Sequence, residues 1–151
     1  MEKLEKIYRG MANGAEAIDS NFQEIAKNID KPSDIPWTEG TLQTGWALSG
    51  EDARIRAKVE GDILTIAIEG LSNTAAMDHT FVNVANFGAA FANISAWGDE
   101  NVVMFTGNNA DGLPSRSRFR KGIFQILPSI ALATGTKRYV FETVRFVIGR
   151  T

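Results

Sequence analysis

The chain has 151 residues, 44% of them hydrophobic, with 18 acidic and 16 basic side chains for a net charge of −2, and no cysteine. That length holds one ordinary domain plus a small appendage, and the apolar fraction is enough to build a core. The charge balance argues against general nucleic-acid or anionic-membrane binding, and the absence of thiols excludes disulfides and thiolate metal sites.

No apolar run approaches the length of a membrane span, and the N-terminus carries no apolar signal region, so synthesis in a cytoplasm is expected. Along the first thirty residues, apolar or small side chains recur at alternating spacings of four and three: Leu4, Tyr8, Met11, Ala15, Ile18, Phe22, Ile25 and Ile29. This is the pattern of a coiled-coil seam, which needs partner helices. Gly10 and Asn13-Gly14 divide it into an arm and a short helix. Asn13 can cap the first free N–H groups, with Glu16 three residues on as in a capping box. From Ala15 onward nothing breaks a helix, and Ala15, Ile18, Phe22, Ile25 and Ile29 fall at the a and d positions. Isoleucine at both positions favours trimers. About two heptads are too short to be stable alone. Either the head also holds the oligomer, or the helix packs its apolar face on its own domain.

Residues 31–36, Lys-Pro-Ser-Asp-Ile-Pro, end the helix and make a linker. The expected organisation is a docking arm and shoulder helix over residues 1–30, a linker over 31–36 and a β-rich head over 37–151. In the head, residues 54–59 alternate polar and apolar as a half-buried strand does. Gly61-Asp62 suits a two-residue hairpin turn, and residues 63–68 return with Leu64, Ile66 and Ile68 on one face. Further extended runs are 41–48, 81–85, 94–97, 102–106, 123–127 and 138–148, separated by loops rich in Gly, Asn, Asp and Ser. Residues 87–91 fit either a helical turn or a strand. Many short strands at this spacing predict an antiparallel barrel or sandwich. The expected fold class is mainly β with one N-terminal helix: an antiparallel β-barrel or sandwich head on a short trimeric, coiled-coil-like shoulder.

The segment Lys6-Ile7-Tyr8-Arg9-Gly10-Met11-Ala12-Asn13-Gly14-Ala15-Glu16-Ala17-Ile18 resembles the start of receptor-binding proteins from tailed phages of lactic-acid bacteria. Those proteins open with a very similar Tyr-Arg-Gly-Met-x-Asn-Gly-Ala-Glu stretch. In the head, Trp46, the basic run 54–58 and the hairpin into 63–68 look like the first strands of those heads, and beyond Leu71 nothing matches. The resemblance implies a homotrimer at the tip of the phage tail. An N-terminal shoulder helix would plug into baseplate or tail proteins, with Tyr8, Arg9, Gly10 and Met11 as docking residues. A C-terminal β-barrel head would bind host cell-wall saccharide. This chain runs from helix to linker to head, so the long neck of some members is missing, and an exchanged head module is compatible with a matching shoulder.

Sugar binding needs flat apolar faces for ring C–H groups and planar polar groups for hydroxyls, a combination that rigid aromatics and adaptable polar side chains supply. Of Trp37, Trp46 and Trp97, the polar run Gly98-Asp99-Glu100-Asn101 after Trp97 makes it the favoured platform. Trp46 reads better as core, and Trp37 as a fastening at the linker. The single histidine, His79, follows Asp78; both can hydrogen-bond sugar hydroxyls or sit in a solvated loop. Asn108 and Asp111 lie in a turn-rich loop suited to the rim of a site or to a plain turn. Arg116, Arg118 and Arg120 alternate, which puts three guanidinium groups on one side of a strand. Such forks bind phosphate or carboxylate; the alternative is a solvated or intersubunit face. Arg54, Arg56 and Lys58 read as the wet side of another strand.

Catalysis finds little support. The chain has no cysteine nucleophile, one histidine, no Gly-x-Ser-x-Gly elbow, no phosphate-cradling glycine loop and no carboxylate pair that stands out. The expected function is non-catalytic attachment of a virion to host cell-wall polysaccharide or phosphopolysaccharide, with no cofactor and no metal, and no nucleic-acid or membrane partner. The alternatives are a wall-polysaccharide depolymerase on the same mount and a purely structural baseplate protein.

Overall fold

The computed structural model describes residues 11–29, 34–107, 112–135 and 137–148. The chain divides into two compact units, Met1–Ser33 and Asp34–Thr151.

In the first unit, helix α1 spans Gly14–Ile29. The Ala17 amide donates to the Asn13 carbonyl at 3.0 Å, so the first helical bond closes on the residue expected to cap it. Glu16 lies in the first turn, where a negative charge suits the helix dipole. Ile18, Phe22 and Ile25 are 44%, 66% and 37% exposed, and Ala15 is exposed as well. The expected seam is therefore an uncovered apolar stripe in the single chain. The Ile29 side chain, and Tyr8, Arg9 and Gly10 of the expected docking arm, lie outside the described residues; Met11 is half-buried just ahead of the helix.

The second unit is all strand apart from one 3-10 turn at Ala89–Phe91. Its strands are β1 (Ile35–Glu39), β2 (Thr41–Leu42), β3 (Trp46–Leu48), β4 (Arg54–Glu60), β5 (Ile63–Asn73), β6 (Val82–Asn86), β7 (Ser95–Thr106), β8 (Leu113–Arg120), β9 (Ile123–Pro128) and β10 (Arg138–Val147). All pairings are antiparallel, in the order β1-β4-β5-β10-β7-β8-β9-β6-β2, with β3 alongside β5. The two ends of that order, β1 and β2, are consecutive in sequence and separated only by Gly40. One short stretch of chain thus lies against β4 with its first half and against β6 with its second. The sheet is a nearly closed antiparallel barrel with few free edges.

Alternation along the strands decides what fills it. In β4, Ile55, Ala57 and Val59 are buried while Arg54 and Glu60 are exposed. Phe87, Phe91 and Phe119 form a triangle of rings with centroids 5.7, 5.8 and 6.0 Å apart, in tilted and edge-on contacts. Trp46, 8% exposed, stacks on Phe105 at 6.3 Å, which makes it a core residue as its sequence context suggested.

Three local features differ from the sequence expectation. The run 41–48 is two strands, because Gly45 takes a φ of +89° in a turn closed by the Trp46 amide on the Gln43 carbonyl. The runs 94–97 and 102–106 are one strand, β7; its register against β8 jumps between Trp97 and Val102, so the polar run after Trp97 is a bulge rather than a loop. Strand β1 begins at Ile35, inside the stretch that the two prolines marked as linker.

Gly40 has no room for a side chain. A Cβ there would sit 2.9 Å from Phe87 Cε1 and 3.0 Å from Ala85 Cβ, both on the β6 side of the closure. Gly40→Val is expected to lower the unfolding free energy by about 1–3 kcal/mol, the usual range for overpacking. Gly50→Ala, with nothing within 4 Å of the added atom, leaves the denaturation midpoint in place. Urea titrations followed by tryptophan fluorescence compare the two.

Candidate binding cleft

Strands β7, β8 and β9 lie side by side, and their register aligns Val102, Arg116 and Leu127 in one row across the sheet. Residues in such a row share a face. The next row sets Ser115 opposite Val103 and Pro128. Two loops border these strand ends: one follows β5 and carries His79, the other follows β9 and carries Ser129. Together these elements enclose a cleft of 360 Å³ lined by His79, Val102, Pro114, Ser115, Arg116, Leu127, Pro128 and Ser129.

The cleft has two chemistries. Val102, Pro114, Leu127 and Pro128 give an apolar wall, on which Val102 is 45% exposed. His79, Arg116 and Ser129 supply hydrogen-bonding groups at its margin. Ser115 is only 1% exposed, and its Oγ has no hydrogen-bond partner among the described residues. Its row, with Val103 and Pro128, is the buried face of the strands, opposite to that of Arg116.

The loops are held by a buried arginine. Arg138, 2% exposed, donates to Asn73 Oδ1 at 3.3 Å, to the Ala75 carbonyl at 3.1 Å and to the Ala133 carbonyl. These three partners are all neutral, and burial pushes the guanidinium below its ordinary pKa. A short bridge reinforces the clamp: Met77 and Leu132 exchange backbone bonds of 2.8 and 2.7 Å. His79 stands two residues beyond Met77, and Ser129 three before Leu132, so clamp and bridge set the spacing of the two walls.

Of the residues singled out in the sequence, the fold brings His79 and Arg116 together in this cleft. Arg118 does not line it. Its Nε donates to Gln125 Oε1 at 2.5 Å, its guanidinium lies 3.7 Å from the Phe81 ring centroid, and burial followed by repulsion from Arg120 lowers its pKa. Asp78 is exposed beside His79, with its carbonyl accepting from the Thr80 amide. Trp97 pairs with Arg118 through the backbone, but its side chain, like Asn108 and Asp111, lies outside the described residues. Sequence reading passed over Ser115 and Ser129. The signal for Ser115 was its place on the inward face of β8, where Ser115, Ser117 and Phe119 alternate with the arginines. The described residues contain no cluster of three or more metal-ligating side chains, and no described helix is long and apolar enough to cross a membrane.

Arg138→Met keeps the stem and removes every donor. It orphans three acceptors, an expected loss of about 3 kcal/mol of stability. Amide exchange at Met77 and Leu132 accelerates more than exchange in β4. Arg138→Lys, with one ammonium in place of the fork, falls between the two.

No protein-family model matches the chain, and no curated protein matches it in sequence. Its fold does have a counterpart. The chain superposes on the crystal structure of the head domain of phage bIL170, described in connection with a common fold for the receptor-binding domains of lactococcal phages. The TM-score is 0.56 at 13% sequence identity, over 76% of this chain and 99% of that one. The barrel built from the strands above thus shares the fold of that head domain.

Proposed function

We propose that this protein is a phage tail-tip receptor-binding protein whose head attaches the virion to a saccharide of the host cell wall. The observation that carries the proposal is the likeness of nearly the whole bIL170 head domain to this chain. The N-terminal motif around Tyr8–Met11 supports the same reading independently, because it is a feature of the sequence ahead of the strands.

The cleft between the His79 loop and β8 is the binding site. Its apolar wall takes the C–H face of a pyranose ring, while the His79 imidazole, the Ser129 hydroxyl and the Arg116 guanidinium bond ring hydroxyls or a phosphate. A volume of 360 Å³ falls in the usual range for small-ligand sites. Attachment without cleavage is favoured because none of the described lining residues is a carboxylate, whereas hydrolysis of a glycosidic bond ordinarily uses two. Three copies act together through the exposed stripe of Ile18, Phe22 and Ile25 on α1, and the arm ahead of the helix docks on the baseplate. Linked weak sites gain affinity without any new contact.

His79→Ala and Arg116→Ala are each expected to reduce binding of the isolated protein to host cells at least tenfold while its sedimentation and circular dichroism stay unchanged. Retained binding in both places the site elsewhere. Release of reducing ends from host wall polysaccharide turns the reading into that of a depolymerase. Phe22→Asp, which charges the stripe, converts a trimer to monomers in sedimentation and weakens cell binding by roughly a hundredfold or more through lost avidity. A wild-type chain that sediments as a monomer removes the trimer from the proposal.

A further inference from the structure

A second concavity lies on the outer face of β4, β5 and β10, on strands that contribute nothing to the cleft. Its floor is β5, where Thr65 and Ala67 point away from the core yet are each only 7% exposed. They are covered because long side chains rise on both sides. The register sets Lys58, Thr65 and Arg145 in one row, and Arg56, Ala67 and Thr143 in the next. Small residues on a central strand between long ones on its neighbours make a trough. Its walls stand about 10 Å apart, two strand spacings. The trough is open to solvent and has a volume of 490 Å³.

The trough concentrates positive charge on an acidic chain. Trp37 stands beside it, with the Arg56 guanidinium 4.6 Å and the Lys58 ammonium 5.0 Å from its ring centroid. The ring holds both cations in place. The two lining carboxylates already have partners: Glu69 bonds Arg54 and Arg56, and Glu60 bonds Lys58 at 2.7 Å. The hydrogen bond from Arg54 holds the Glu69 carboxyl below the usual range, so it stays ionised and engaged. Arg145 makes no hydrogen bond or ion pair among the described residues, and the buried Arg56 Nε has no acceptor. Three lining cations, Arg56, Lys58 and Arg145, thus face two lining carboxylates, and donors remain over.

We propose that this trough is a second ligand site, which takes the anionic group of an acidic saccharide. The anion, a phosphate or carboxylate, sits over Thr65 between Lys58 and Arg145, and the sugar lies along β5 against Trp37 and the exposed Ile63. Planar donor forks recognise such groups better than they recognise neutral hydroxyls. The saccharide as occupant rests on the function proposed above; the anion preference rests on the trough alone.

The test uses the soluble full chain and small probes, so it stands apart from host attachment. Glucose 1-phosphate, added to protein with 15N-labelled indoles, is expected to shift the Trp37 indole resonance in a saturable way, and glucose is not. Arg145→Ala weakens that response at least tenfold. Arg116→Ala, in the cleft, leaves it unchanged. An equal response to glucose overturns the anion preference. Equal affinity for inorganic phosphate means an adventitious ion only and overturns the saccharide. Tighter binding of a glutamate hexapeptide makes the trough a protein-docking surface and overturns it too. No response, or one that Arg145→Ala leaves intact, overturns the site outright. A protein that fails to attach to cells yet passes this test loses the cleft reading and keeps the trough.

Discussion

Closure of the sheet at Gly40 is the constraint on which the rest of the head depends. A ten-stranded sheet with open ends would expose two rows of unpaired backbone groups. Here the chain covers both ends with a single stretch, pairing β1 to β4 and, one residue later, β2 to β6. The backbone must approach β6 so closely at that corner that the Phe87 ring occupies the space a side chain would need. Phe87 in turn packs on Phe91 and Phe119, so the corner is continuous with the aromatic centre of the core. Displacing it disturbs the ring triangle, one corner of which is Phe119 of β8.

Register, once fixed, creates the cleft. Arg116 meets Val102 and Leu127 only because β7 bulges before Val102 and the ladder resumes there. Ser117 Oγ stabilises that bulge by donating to the Asn101 carbonyl at 2.8 Å. The loops on either side are then set by Arg138, a charge buried among neutral acceptors. Burying a cation without a carboxylate is unfavourable by itself, and three carbonyl-type acceptors are what compensate. The benefit is geometric: a planar fork fixes the relative position of two otherwise separate loops.

The two concave surfaces divide the chemistry between them. The cleft couples an apolar wall to a few polar groups at its margin. The trough lines a polar floor with cations held by an aromatic ring and by carboxylates. The trough is set by strand register alone, the cleft by register together with the two loops that Arg138 holds. Strands β8, β9 and β6 carry a third polar row, Arg118 to Gln125 to Asn83, already closed by hydrogen bonds of 2.5 Å.

How much of this was legible in the sequence follows from what periodicity encodes. Spacing of four and three marked α1 and its apolar stripe, and alternation marked strands such as β4 and the residues that fill the core. These are properties of one segment and its solvent, so the sequence by itself determined them. It also carried the N-terminal resemblance and the absence of thiol chemistry. Strand order was not legible, because pairing depends on distant segments whose match no local pattern records. For that reason only the tertiary structure joined His79 to Arg116, turned Arg138 from a strand residue into a buried clamp, and moved Arg118 from the expected site onto Phe81. It likewise made a trough from Arg56, Lys58 and Arg145, which in sequence are the wet sides of two unrelated strands.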